Sequence, residues 1–95
     1  MAAVTRLGDV CTGHGPFPPR SSTSASSNVL INGKGAHRVG DSWAVHCAPG
    51  SVCHGGNLAS GSGTVFVNGQ PLGRIGDSIN CGSFVAEGSP NVFAG

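Results

Sequence analysis

The 95-residue sequence contains no tyrosine, one tryptophan and four phenylalanines, which excludes a core built mainly from large aromatic side chains. Charged residues make up 9% of the chain, against about a quarter in ordinary globular proteins. The five basic residues, Arg6, Arg20, Lys34, Arg38 and Arg74, are scattered and the net charge is +1. Nucleic-acid binding requires clustered cations to displace counterions from phosphates, so no nucleic-acid partner is expected. No apolar run approaches the roughly 18 residues of a membrane-crossing helix. The opening stretch, residues 1–6, also lacks the apolar centre of a secretory signal. The expectation is a soluble chain made in the cytoplasm and carried outward, if at all, by other machinery. Carboxylates are scarcer still, with only Asp9, Asp41, Asp77 and Glu87.

Glycine is abundant, at 17 residues, and proline contributes 6. Such a composition also occurs in disordered chains, but here the glycines recur at fixed places in a repeat. Asn28-Val-Leu-Ile-Asn-Gly-Lys-Gly-Ala-His-Arg-Val-Gly-Asp41 aligns with Thr64-Val-Phe-Val-Asn-Gly-Gln-Pro-Leu-Gly-Arg-Ile-Gly-Asp77 at a constant offset of 36. Each copy is preceded by a Ser/Gly-rich lead-in. Val4-Thr-Arg-Leu-Gly-Asp9 matches the second half of the unit, and Gly88-Ser-Pro-Asn-Val-Phe-Ala94 matches the first. Joined, these two fragments make a third unit split between the termini.

Each unit carries a physical signature. Val29-Leu-Ile31 and Val65-Phe-Val67 are apolar and largely β-branched, as strands prefer. Asn32-Gly33 and Asn68-Gly69 come directly after them, the dipeptide that best accepts the two positive φ angles of a type I′ hairpin turn. Return strands are expected over residues 36–39 and 72–75, ended by turns at Gly40-Asp41 and Gly76-Asp77. Units this small cannot each bury a core, so they are expected to share one around a pseudo-threefold axis. The chain should form one all-β domain, residues 1–95, of short hairpins with no substantial helix. At this length a thin core calls for a further staple.

The residues just past each Gly-Asp suggest that staple. His14 lies five residues past Asp9, His46 five past Asp41, and Cys81 four past Asp77. Quasi-equivalent positions around a threefold axis would bring these side chains together, and His54 could add a fourth donor. Three imidazoles and a thiolate suit a closed tetrahedral zinc site, with iron or copper as alternatives for the same donors. Zinc binding would add directly to folding. The competing reading is two disulfides among Cys11, Cys47, Cys53 and Cys81, with three connectivities open. Without a secretion signal that reading is less expected. Cys11, Cys47 and Cys53 are then read as small buried apolar residues, although Cys47 or Cys53 could replace a neighbouring His as ligand. His37 faces Gly73 in the repeat and lacks the repeated placement.

With these residues in view, the chain resembles the PAAR-repeat family, named for a Pro-Ala-Ala-Arg motif. The motif positions read Gly35-Ala-His-Arg38 and Pro71-Leu-Gly-Arg74, keeping the arginine and little else. The Ser/Gly lead-in, strand, Asn-Gly and closing Gly-Asp, together with Cys11-Thr-Gly-His-Gly15 and Cys81-Gly-Ser83, carry the resemblance across essentially the whole chain. The resemblance implies a small conical β-domain with zinc near its point. It implies that His14, His46, His54 and Cys81 are the ligands, three histidines and one cysteine as is usual in the family. It further implies a non-enzymatic tip, a monomer capping a trimeric β-helical spike in a phage tail or type VI secretion system. Such a tip meets the target membrane transiently as it is driven through the envelope. Leu30, Phe66 and Phe93 hold equivalent strand positions, facing away from Val29, Val65 and Val92. One of these triplets is expected to help form the spike-binding base, the alternative being that both are core.

Two other functions compete. A zinc hydrolase needs an open metal position and a general base; with three aspartates in repeated turns, Glu87 alone is free for that role. A disulfide-stabilised secreted peptide would instead tie up all four cysteines.

Overall fold

The structure, a computed structural model, describes residues 1–50 and 52–95. Among them there is no helix. Eight strands pair into four two-stranded antiparallel sheets. The strands are β1 (Ala2–Ala3), β2 (Leu30–Ile31), β3 (Lys34–Gly35), β4 (Ser42–Ala48), β5 (Val52–Asn57), β6 (Phe66–Val67), β7 (Gln70–Pro71) and β8 (Phe93–Ala94).

The Asn-Gly turns form as expected. Asn32 and Gly33 have φ of 55° and 79°, and Asn68 and Gly69 have 52° and 80°, the two positive angles that define a type I′ turn. They close the β2–β3 and β6–β7 hairpins. The third unit is assembled from the two ends of the chain. β1 pairs with β8 so that Ala3 faces Phe93 and Ala2 faces Ala94, the same relation as Gly35 to Leu30 and Lys34 to Ile31.

The return strands differ from expectation. β3 and β7 begin directly after the turns and hold two residues each. The next residues leave their own hairpins and bridge neighbouring units: Val4 to Arg74, Arg38 to Leu72, and Arg6 to Ala36. This exchange brings apolar side chains to a common axis while still pairing their backbone groups, which burial demands. At its centre three amides form a closed ring. Thr5 N–H donates to Gly73 O (2.9 Å), Gly73 N–H to His37 O (2.9 Å), and His37 N–H to Thr5 O (3.2 Å). The axis has little space for side chains. A Cβ on residue 73 would lie 2.6 Å from Leu58 Cδ2 and 2.9 Å from Thr5 Cγ2. His37, fully buried, thus occupies the position that is Gly73 in the next unit.

Two apolar layers stack along this axis. The first is Val4, Ile31, Ala36, Val67, Leu72 and Ala94, two residues from each unit. The second is Cys11, Trp43, Leu58, Ile79 and Val85. Cys11, Trp43 and Ile79 each stand two residues past a unit's Asp, so Cys11 does occupy a repeated position, that of an apolar core residue. It is buried.

The repeated arginines each find a partner within their own unit. Arg6, Arg38 and Arg74 clamp Asp9, Asp41 and Asp77 in the same geometry. In each unit the Arg backbone N–H and Nε donate to Oδ2 and Nη2 donates to Oδ1, at 2.7–3.0 Å. Burial opposes ionisation of Asp41, yet its hydrogen bonds from Arg38 outweigh this and hold its carboxyl below the usual range. The clamp fixes a turn whose glycine, Gly8, Gly40 or Gly76, has φ of 90–94°. The whole body measures 40 × 24 × 21 Å, elongated as a stack of threefold layers should be.

Candidate metal centre

Beyond the second layer the three units diverge, and each contributes to one cluster. His14 sits in a tight loop where its N–H and C=O pair with those of Phe17. Gly13, at φ 70°, makes the loop possible, because a Cβ there would lie 2.5 Å from Phe17 O. His46 lies on β4 and His54 directly opposite on β5. The segment holding His54, expected to be irregular, is thus a strand of the longest hairpin among the described residues. Cys81 follows Ile79 of the second layer and precedes Gly82, at φ 104°. These local folds bring one donor atom from each of His14, His46, His54 and Cys81 to within 4.8 Å of one another.

The histidine geometry is informative. Nε2 of His14 and Nε2 of His46 each lie 2.9 Å from Nε2 of His54. The His46 Nδ1–H donates to Pro18 O at 2.9 Å, so in the neutral ring its Nε2 presents a lone pair. A single N–H on His54 Nε2 can satisfy one of its two neighbours but not both. A cation at the centre resolves that crowding. Zinc bonds of about 2.0–2.3 Å set tetrahedral donor separations of roughly 3.3–3.6 Å, between the 2.9 Å contacts to His54 and the 4.8 Å that bounds the set. Desolvation, followed by repulsion from His46 and then His14, lowers the pKa of His54. That favours the neutral ring, the form that coordinates a metal.

Supporting residues complete the arrangement. Phe17 packs against all three imidazoles, with ring centroids 4.8 Å from His14, 5.0 Å from His46 and 4.2 Å from His54. Gly56, on β5, lets that strand approach Cys81. A Cβ there would lie 2.8 Å from Ile79 Cγ2 and 3.1 Å from Cys81 Sγ. Sequence reasoning missed both residues. Gly55-Gly56 looks like ordinary turn chemistry, and a phenylalanine between prolines carries no metal signal.

The cysteines divide differently from expectation. Cys47 and Cys53 are exposed, not buried, and are joined as a disulfide. They are direct cross-strand neighbours on β4 and β5, with Cα atoms 4.1 Å apart, so neither replaces a histidine in the cluster. Cys11 and Cys81 are free. The framework is therefore one disulfide and two thiols, which removes the two-disulfide reading.

His37 joins no cluster of donors. Its Nδ1–H donates to Ser24 O at 2.9 Å, and its ring meets Trp43 edge to face at 4.9 Å. The base triplets are both solvent-facing, so the reading that both are core does not hold. Leu30, Phe66 and Phe93 are 62%, 58% and 52% exposed, while the residues next to them, Ile31, Val67 and Ala94, point into the first layer. Strand alternation makes one set inward and the other outward. Glu87 accepts a hydrogen bond from the Val10 amide.

A family model described as the PAAR motif matches residues 12–87 of the chain. No curated protein matches the sequence.

Proposed function

The chain belongs to the PAAR-motif family, and from that premise we propose that it is the metal-stapled tip of a spike in a contractile injection machine, a phage tail or a type VI secretion system. One observation carries the reading. A threefold set of exposed apolar side chains, Leu30, Phe66 and Phe93, adjoins the first-layer residues Ile31, Val67 and Ala94, whereas the metal donors His14, His46 and Cys81 follow the second-layer residues Cys11, Trp43 and Ile79. Three equivalent apolar positions on a single asymmetric chain match the three equivalent edges of a trimeric β-helical spike. Capping would also cover strand edges that otherwise invite aggregation.

The four donors His14, His46, His54 and Cys81 would hold zinc in a closed site, iron being the second candidate for this set. Bound there, the ion supplies a structural cross-link where apolar burial is thin. Its role is mechanical: a contracting sheath drives a rigid rod, and a narrow, cross-linked point concentrates the force on a small area of target membrane. Four protein donors leave no position for a substrate water. Of the four carboxylates, three are held by arginines and Glu87 is engaged with a backbone amide. A hydrolytic role gains no support from these residues.

The test is capping in vitro. Introducing charge at all three base positions, Leu30→Asp with Phe66→Asp and Phe93→Asp, should abolish co-purification with the trimeric spike while leaving one zinc per chain by metal analysis. Retained capping by the triple variant would overturn the base assignment. Absence of any bound metal would overturn the staple.

A further inference from the structure

The β4–β5 hairpin carries two of the four donors, and its outer end is poorly held by packing. Between Trp43 and His46 the pairing loses register, and then three cross-strand pairs complete the ladder: His46 with His54, Cys47 with Cys53, and Ala48 with Val52. Trp43 is the last residue of β4 in an apolar core layer. Past His46, the described side chains of the hairpin end are exposed or half-buried. The histidine pair lies on the inner face, and strand alternation puts the cystine of the adjacent pair on the outer face. The outer hairpin thus carries a pair of metal donors on one face and a disulfide on the other, on the same two strands.

We propose that Cys47–Cys53 is a redox-addressable strap that fixes the outer hairpin and thereby governs retention of the metal. The second part rests on the metal reading given above. The two thiols and a glutathione-type disulfide exchange to give the cystine and two glutathione thiols, and a dithiol reverses the step. Both sulfurs are exposed, so exchange partners reach them. Cys81, the one donor thiol, lies on a different segment and is not part of the strap. In a reducing compartment the metal alone orders the hairpin end. In an oxidising one the strap holds His46 opposite His54 whether or not metal is present, and the pre-aligned donors release the ion more slowly. Disulfides persist only in oxidising surroundings, so the tip is more robust after leaving a reducing cytoplasm than before.

The experiment compares the oxidised protein with a Cys47→Ser/Cys53→Ser double variant and with the protein reduced by a phosphine. All three retain Cys81. Two quantities are read: the rate of zinc transfer to a chromophoric chelator, and amide hydrogen exchange over residues 44–55 in metal-free protein. The expected result is release about tenfold slower in the oxidised form, the low end of the effect seen when groups orienting metal ligands are removed. Hairpin amides should be protected without metal only when the strap is closed. Equal release rates overturn the link to metal retention. Equal exchange in the oxidised and reduced forms overturns the strap itself. If no form binds zinc, the metal reading of the site fails, and the exchange comparison still decides whether the strap orders the hairpin.

Discussion

His37 offers a quantitative check on the pseudo-threefold axis. Its ring is fully buried, its Nδ1–H donates to Ser24 O, and its Nε2 has no partner. Adding a proton would place a charge and an N–H against an apolar layer with no acceptor. Burial therefore lowers the pKa of His37, with the Ser24 carbonyl and Asp41 offsetting only part of the effect. The unfolded chain takes up this proton near pH 6.5, before the folded one does. The stabilisation is fully present above that pH and is lost as pH falls from there through the folded-state pKa, at up to about 1.4 kcal/mol per unit. Between pH 7.5 and 5.0 one such group therefore removes stability, by at most about 2 kcal/mol. The assay is urea unfolding at both pH values, with equal excess zinc, for the unaltered protein and a His37→Gln variant. Proton competition at the donor cluster is common to both and cancels in the difference. The unaltered protein should lose more stability than the variant over this interval, by up to about 2 kcal/mol. Equal losses would mean that His37 is protonated in the fold at no cost, and would refute the account of the axis.

Gly56→Ala should displace Cys81, since the added methyl would sit 3.1 Å from its sulfur. Zinc affinity, measured by competition with a chelator, should fall about 10- to 100-fold with the three histidines untouched. Asp41→Asn removes the acceptor charge of a half-buried clamp and should destabilise the protein by about 1–3 kcal/mol in urea unfolding at neutral pH. Because the folded Asp41 pKa is depressed, this contribution is present above the ordinary carboxylate range and disappears as pH falls through the folded value. The gap between the unaltered protein and the variant should accordingly close in acid.

Much of the architecture is legible because the chain repeats. Asn-Gly at positions 32–33 and 68–69 dictates its own φ angles, and the matching fragments at the two ends foretell the β1–β8 pairing. His14, His46 and Cys81 stand out by their distance from each Gly-Asp. The role of the repeated aspartates is less visible. They read as turn residues, whereas each is also the acceptor of an arginine three positions earlier. Cys11 looks patternless by residue type, although it stands two residues past Asp9, as Trp43 and Ile79 do past theirs. A cysteine among a tryptophan and an isoleucine shares their place in the core without resembling them.

The local chemistry of the sequence alone determined the all-β character, the three units and the candidate donors, because turn geometry, strand preference and repeat spacing are all short-range properties. Only the tertiary structure decided which backbone segments pair across units, that one imidazole is buried where another unit has a glycine, and that β4 and β5 form a hairpin opposing His46 to His54 and Cys47 to Cys53. Those outcomes depend on packing around a shared axis. Space there is limited by residues up to about seventy positions apart, such as Thr5 and Gly73, and no single stretch of sequence records it.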